Sequence, residues 1–278
     1  MSEISSSECY NYSGRERIED QIININLTAN NTFHNKYLIR IGAKDKAFVK
    51  VDFSHSYFDN CYFRNIVFDS CDFNGCKFNN CNFHNSKFID CKFDYSTFEK
   101  SYIDPIILET NLPKFNNLKA KFARSLRVNF QSIGDVEGVN LAIKVELNSK
   151  KEHLYDSWFS SDKYYRAKYK SIERVKYFFE WLWFKAQDIV WGNGEKPKSL
   201  LILGITLWIT ALVYDTIAFK DWNIVTNYFH SLIEVPTYFL GINKSNQYSN
   251  VYQIILTLFR MVGFALFTSL IIKRYSRR

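Results

Sequence analysis

Glycine and proline are scarce, 10 and 4 in a chain of 278 residues, which excludes a collagen-like or Pro/Gly-rich disordered chain. An acidic excess is missing too. Lys and Arg number 36 against 28 Asp and Glu, for a formal charge of +8. The six cysteines form no C-x2-C pair and the five histidines are scattered, so no zinc or iron–sulfur spacing is present. No phosphate-cradling glycine loop, His pair, nucleophile elbow or usable carboxylate pair appears. An enzyme is therefore not expected, and no metal or cofactor is called for. Met1 to Asp20 is polar and lacks the apolar stretch of a secretory signal.

The excess charge and the apolar content are unevenly placed. Residues 47–103 carry a net charge of −1 and residues 104–198 a net +5. Ser199 to Phe219 is a 21-residue apolar run broken by one charge, Asp215, and Val251 to Ile272 is a 22-residue run containing only Arg260. At a rise of 1.5 Å per residue each run is roughly 31–33 Å long, enough for a bilayer core of about 30 Å. Lys185, Lys196 and Lys198 precede the first run, and Lys273, Arg274, Arg277 and Arg278 follow the second. The linking segment holds only Lys220 and Lys244 beside Asp221 and Glu234. The positive-inside bias then puts both termini in the cytoplasm and makes the lipid bilayer a partner.

A period of five dominates the first third. Phe stands at 53, 58, 63, 68, 73, 78, 83, 88, 93 and 98, with Phe48 before and Ile103 after. Neither the 3.6 period of a helix nor the 2.0 period of a strand gives that spacing. Two residues before each Phe lies a small or β-branched side chain: Val51, Ser56, Cys61, Ile66, Cys71, Cys76, Cys81, Ser86, Cys91 or Ser96. Five of the six cysteines belong to this small class.

This pattern resembles the pentapeptide-repeat family, whose chain winds a right-handed quadrilateral β-helix of four pentapeptides per coil. The resemblance implies that Phe53, Phe73 and Phe93 form one stacked column and Phe58, Phe78 and Phe98 another. Phe48 to Ile103 makes about three coils, and the same frame upstream meets Leu38, Phe33 and Thr28, an imperfect extra coil from about Ile23. Some family members mimic DNA with an acidic surface and bind gyrase. A net −1 is too small for that, and no nucleic-acid partner is expected.

Beyond the repeat, Leu118, Phe122, Leu126 and Phe130 step by four toward Gly134, and Val136, Val139 and Ile143 open a second periodic stretch, so a helical hairpin is expected. Tyr164 to Trp191 interleaves basic residues with an apolar face and ends among Trp181, Trp183 and Trp191, as a juxtamembrane amphipathic helix would. Between the apolar runs, Trp222 to Val235 is too short to span, and Pro236 and Thr237 to Asn243 follow.

Span, half-span helix, glycine-containing loop and span resemble the two-helix pore-loop domain of potassium-channel type. The order of parts resembles a bacterial protein group in which pentapeptide repeats, a helical segment and a GxGE-x-P stretch precede that domain, and Trp191 to Pro197 reads WGNGEKP. The resemblance implies a pore loop and filter at Thr237, Tyr238, Phe239, Leu240, Gly241, Ile242 and Asn243, in extended backbone. Against the family's T-V-G-Y-G, the Thr has become Phe239, the second glycine Asn243 and the following acid Lys244, which argues against high potassium selectivity. It also implies a hinge at Gly263 and a gate at Phe267, one turn on. Arg260, Glu234 and Asp215 are the intramembrane charges, with Glu234 or loop carbonyls expected as partners of Arg260.

The fold class expected is therefore mixed: a polar tail over 1–22, a pentapeptide-repeat β-helix over 23–104 and a helical connector over 105–163. An amphipathic helix over 164–198 and a two-span α-helical pore-loop domain over 199–278 complete it. The function expected is an ion-channel-like protein of the bacterial inner membrane, multi-pass, in which a cytoplasmic β-helix senses a protein partner or signal and gates an oligomeric pore of low or altered cation selectivity. One pore loop per chain cannot surround an ion, so a homotetramer is expected; the permeant ion is not specified by the residues. The alternative is a non-conducting membrane-tethered scaffold whose β-helix binds a protein partner.

Overall fold

The computed structural model describes residues 14–243 and 248–275. Most of the polar tail, together with Lys244, Arg277 and Arg278, lies outside the described residues. The chain divides into two units, one ending at Phe178 and the other starting at Phe179.

The first unit opens with a β-solenoid of about four turns. One side is a five-stranded sheet of β1 (Glu16–Glu19), β3 (Lys36–Ile39), β6 (Tyr57–Asp59), β9 (Lys77–Asn79) and β11 (Thr97–Glu99). A second side stacks β2 (Ile22–Ile23), β4 (Gly42–Lys44) and β7 (Tyr62–Arg64), and a third stacks β5 (Ala47–Val49), β8 (Val67–Asp69) and β10 (Lys87–Ile89). Single bridges joining Thr32, Asp52, Asp72 and Lys92 form the fourth. All strand pairs are parallel, and in each a residue faces the one twenty positions on, as Phe58 faces Phe78. Four pentapeptides per turn produce that register.

Register converts the sequence period into columns of rings. Phe73 stacks 5.0 Å from Phe53 and 5.1 Å from Phe93, with interplanar angles of 1° and 11°. Phe78 lies 4.8 Å from Phe58 and 4.6 Å from Phe98. The small inward residues serve the backbone: the Cys61, Cys71 and Cys76 thiols donate to the carbonyls of Leu38, Phe48 and Phe53 at 3.3, 3.2 and 3.0 Å. Ser86 does the same to Phe63 at 3.0 Å. Burial pushes the Cys76 thiol far above its ordinary range, as suits an inert core thiol rather than a nucleophile.

Each corner is turned by a residue in the left-handed region two positions after the inward ring, for example Asn60 (φ 53°), Asn65 (φ 53°), Gly75 (φ 69°) and Asn80 (φ 51°). Asn, Asp and Gly tolerate that conformation best, which explains their recurrence there.

The coil extends further upstream than the Phe pattern marks. It begins at Glu16 rather than about Ile23, because Ile18 and Ile23 supply apolar side chains packed on the core where Phe is lacking. The inward position expected of Thr28 is taken by Leu27, which bridges Phe48. The offset there is 21, a local slip of one residue.

At its other end the solenoid is closed by helices. After α1 (Ile107–Thr110) come α2 (Asn116–Ile133) and α3 (Val136–Phe159), joined through Gly134 at φ 76°. Leu118, Phe122, Leu126 and Phe130 are all buried, and the Phe122 ring lies 5.6 Å from Phe93, prolonging its column. Side chains satisfy the open strand edge. Asn129 accepts from the Ser101 amide and donates to the Ser101 carbonyl, both at 2.7 Å. Asn111 does likewise for Cys91 and Phe88 at 2.9 and 3.0 Å. An edge so covered offers no template for another strand.

The continuous helix expected from Tyr164 is broken into α4 (Lys163–Lys168) and α5 (Ser171–Trp191). Packing overrides periodicity here. Tyr169 is buried with its ring 4.4 Å from Tyr177, and its hydroxyl lies 3.3 Å from His153 Nε2. Burial, with Lys168 acting in the same sense, holds the His153 pKa below the ordinary histidine value.

Two outcomes follow. Phe73→Ala should cost about 3–5 kcal/mol in denaturant unfolding, because the cavity opens between two stacked rings, whereas Lys77→Ala on the outer face should stay within about 0.5 kcal/mol; equal losses would overturn the inward frame. A histidine whose pKa is depressed on folding binds its proton more readily when unfolded, so its contribution is complete above about pH 6.5 and is lost as pH falls from there through the lower folded-state pKa. The drop in melting temperature between about pH 7.5 and pH 5.5 should therefore be larger for the native chain than for His153→Gln.

Candidate functional site

The second unit is built on three helices: α6 (Pro197–Phe219), α7 (Val225–Leu240) and α8 (Asn250–Tyr275). Pro197 at the first position of α6 presets its entry. Two helices are long and apolar enough to cross a membrane, Pro197–Phe219 and Asn250–Lys273, and only 11% and 6% of their most apolar windows are buried. A core helix of a globular domain would be mostly buried, so these apolar surfaces need a cover. Hydroxyls on both helices turn inward on their own backbone. Thr206, Thr210 and Thr268 donate to the carbonyls of Ile202, Thr206 and Phe264, each at 2.8 Å. Hydrocarbon surroundings demand that kind of internal satisfaction.

Between these helices α7 has 16 residues, about 24 Å of rise and too short to cross. A buried polar knot holds it to α6. Ser231 on α7, fully buried, donates to Asp215 Oδ2 at 2.7 Å, and Thr216 donates to Ser231 at 3.2 Å. The Tyr248 hydroxyl, just before α8, donates to Asp215 Oδ1. Lys220 reaches Asp215 at 3.4 Å and Glu234 at 2.6 Å. A carboxylate taken from water is tolerable only when paired and hydrogen-bonded in this way.

The segment expected as an extended filter is mostly helical. Thr237, Tyr238, Phe239 and Leu240 complete α7, with Pro236 inside it, and Gly241 ends it at φ 76°. The amide of Ile242 returns to the Thr237 carbonyl at 2.9 Å, as does that of Asn243 at 3.3 Å. This is a glycine-terminated helix end, a local closure that competes with an extended path and wins. Among the described residues no re-entrant loop is shown.

Arg260 and Glu234 are not brought together. Glu234 is taken by Lys220, while the Arg260 guanidinium lies against the Gly241 backbone, where a Cβ would overlap Nη1 and sit 3.0 Å from Cζ. Gly263 and Phe267 lie on α8, and a Cβ added at Gly263 meets nothing within 4 Å. No packing within the chain thus demands glycine there. A cavity of about 600 Å³ opens among Gly204, Trp208, Tyr238, Tyr252 and Phe259, with almost no polar lining.

The stretch Trp191 to Pro197 forms a tight turn with Gly192, Asn193 and Gly194 at φ 62°, 53° and 83°. Lys273, at the far end of α8, donates to Glu195 at 2.6 Å and to the Gly194 carbonyl at 3.3 Å. The sequence marked this stretch but gave no sign of its partner 78 residues on. Nor did it reveal the Lys220–Glu234 pair, for which the hint was simply two opposite charges in an otherwise apolar segment. Among the described residues no group of three His, Cys, Asp or Glu is placed to hold a metal.

Comparison with known proteins fits the first unit. Residues 43–117 match the pentapeptide repeat region family. No curated protein matches the chain. Among solved structures, the chain is similar to two trypsin-treated variants of QnrB1, a plasmid-mediated fluoroquinolone resistance protein. Identities are 15% and 12%, and TM-scores 0.16 and 0.14. The matches cover 32% and 33% of this chain, and 54% and 62% of those.

The pairing makes a thermodynamic prediction. In nanodiscs, Lys220→Gln and Glu234→Gln should be non-additive by about 0.5–3 kcal/mol, whereas Glu234→Gln and Arg260→Gln should add. Coupling in the second pair and not the first would reject this arrangement.

Proposed function

We propose that this is a membrane protein whose α6–α7–α8 segment assembles with copies of itself around an ion pathway, gated by the repeat domain on the cytoplasmic side. The observation that carries this reading is α7: a helix too short to cross, yet fastened by buried polar bonds to a membrane-length helix. A soluble anchor needs no such half-length element, whereas an oligomeric pore needs each chain to bring a polar-ended segment to membrane depth. Lys and Arg at both outer flanks orient both termini to the cytoplasm, in a bacterial inner membrane, and a homotetramer is the expected closure. The solenoid would then present its flat, mixed-charge faces to a protein partner or signal.

A tethered, non-conducting scaffold is the rival, favoured by one observation: Thr237 to Leu240 are helical, so their carbonyls serve the helix rather than a filter. Conductance decides between the two. Full-length protein in planar bilayers should carry current, and Phe267→Ser should raise basal leak while Val262→Ser, about 140° away on the same helix, should not. Protein that stays silent under every stimulus, with Asn243→Gly equally silent, establishes the scaffold.

A further inference from the structure

We propose that Arg260 determines the charge selectivity of the pathway, acting as a built-in cation at the C-terminal end of α7 that disfavours permeant cations and admits anions. This rests on the pore reading above.

The C-terminal end of a helix carries partial negative charge, about half an elementary charge, and attracts cations within its last turn. In a pathway approached by α7, that end is where a permeant cation would be held. Here the place is already filled. The Arg260 guanidinium lies against Gly241, the residue that ends α7, with Cζ and Nη2 3.0 and 3.5 Å from where a Cβ would stand. Gly241 is needed twice over, for its φ of 76° and for the room it leaves to the guanidinium. The helix end offsets about half of this charge, and no carboxylate among the described residues removes the rest. Asp215 is engaged by Ser231, Tyr248 and Lys220, and Glu234 by Lys220. Among the described residues no carboxylate comes within ion-pairing distance of Arg260. An arginine stays charged at all physiological pH. The remaining positive charge, about half a unit per chain, repeated around a symmetry axis makes a positive ring, and such rings select anions.

The test uses the full-length protein in planar bilayers under a tenfold KCl gradient. The native chain should reverse on the chloride side, Arg260→Lys should keep that sign, and Arg260→Gln should move the reversal potential toward potassium. Since Arg260→Gln can fail to assemble, Arg260→Cys provides the control on one folded protein. A positively charged thiosulfonate reagent should return the reversal potential to the chloride side, and a negatively charged one should drive it to the potassium side. A native chain that reverses on the potassium side overturns the assignment and leaves the pore reading standing. So does a conducting Arg260→Gln, or an Arg260→Cys carrying the negatively charged reagent, that reverses where the native chain does. Silence of the native chain under every stimulus, with Asn243→Gly equally silent, overturns both together.

Discussion

Stacking of inward phenylalanines at the spacing of one coil is the constraint on which the first unit depends. Rings 4.6–5.1 Å apart in the Phe53–Phe73–Phe93 and Phe58–Phe78–Phe98 columns match the separation of hydrogen-bonded strands. Backbone bonding and ring stacking therefore demand the same repeat, and neither is strained to satisfy the other. The remaining features serve that agreement. Small inward residues leave room beside each ring and donate to the preceding coil's carbonyls, and left-handed corners let the chain turn within five residues. The helical hairpin ends the stack by imitating it: Phe122 continues a column, and the Asn111 and Asn129 amides take the bonds a further coil would have made.

The second unit answers to the opposite demand. Its apolar side chains stay exposed along α6 and α8, and its polar groups are the ones gathered inside. Asp215 lies 2% exposed in a region rich in Leu, Ile and Phe, tolerated because three donors converge on it. The same logic sorts four charges of this unit, Asp215, Lys220, Glu234 and Arg260. Lys220 satisfies two carboxylates, which leaves Arg260 with a helix end in place of an anion.

Much of this was legible in one dimension because the relevant physics is periodic. Ten phenylalanines five apart announce a solenoid and place five cysteines in its core, since one inward side chain per repeat is all the geometry requires. Two apolar runs of about 20 residues announce membrane-length helices for a similar reason, length matched to a layer. The hairpin around Gly134 followed from a four-residue step and a helix-stopping glycine.

Aperiodic outcomes were decided only in three dimensions. The coil at Glu16–Ile23 uses Ile and Leu27 where the pattern asks for Phe and Thr28, because burial rather than residue identity sets the frame. The break at Tyr169 arose from an aromatic cluster with His153 and Tyr177, and the helical state of Thr237–Leu240 from closure of the helix end on Gly241. Charge pairing was the least legible. Lys220 with Glu234, and Lys273 with Glu195, join residues 14 and 78 positions apart, and a sequence states which charges exist but not which of them meet. Composition and period determined the elements of this protein. Competition among a few charges for a few buried partners, settled by distance, decided how its second unit is wired.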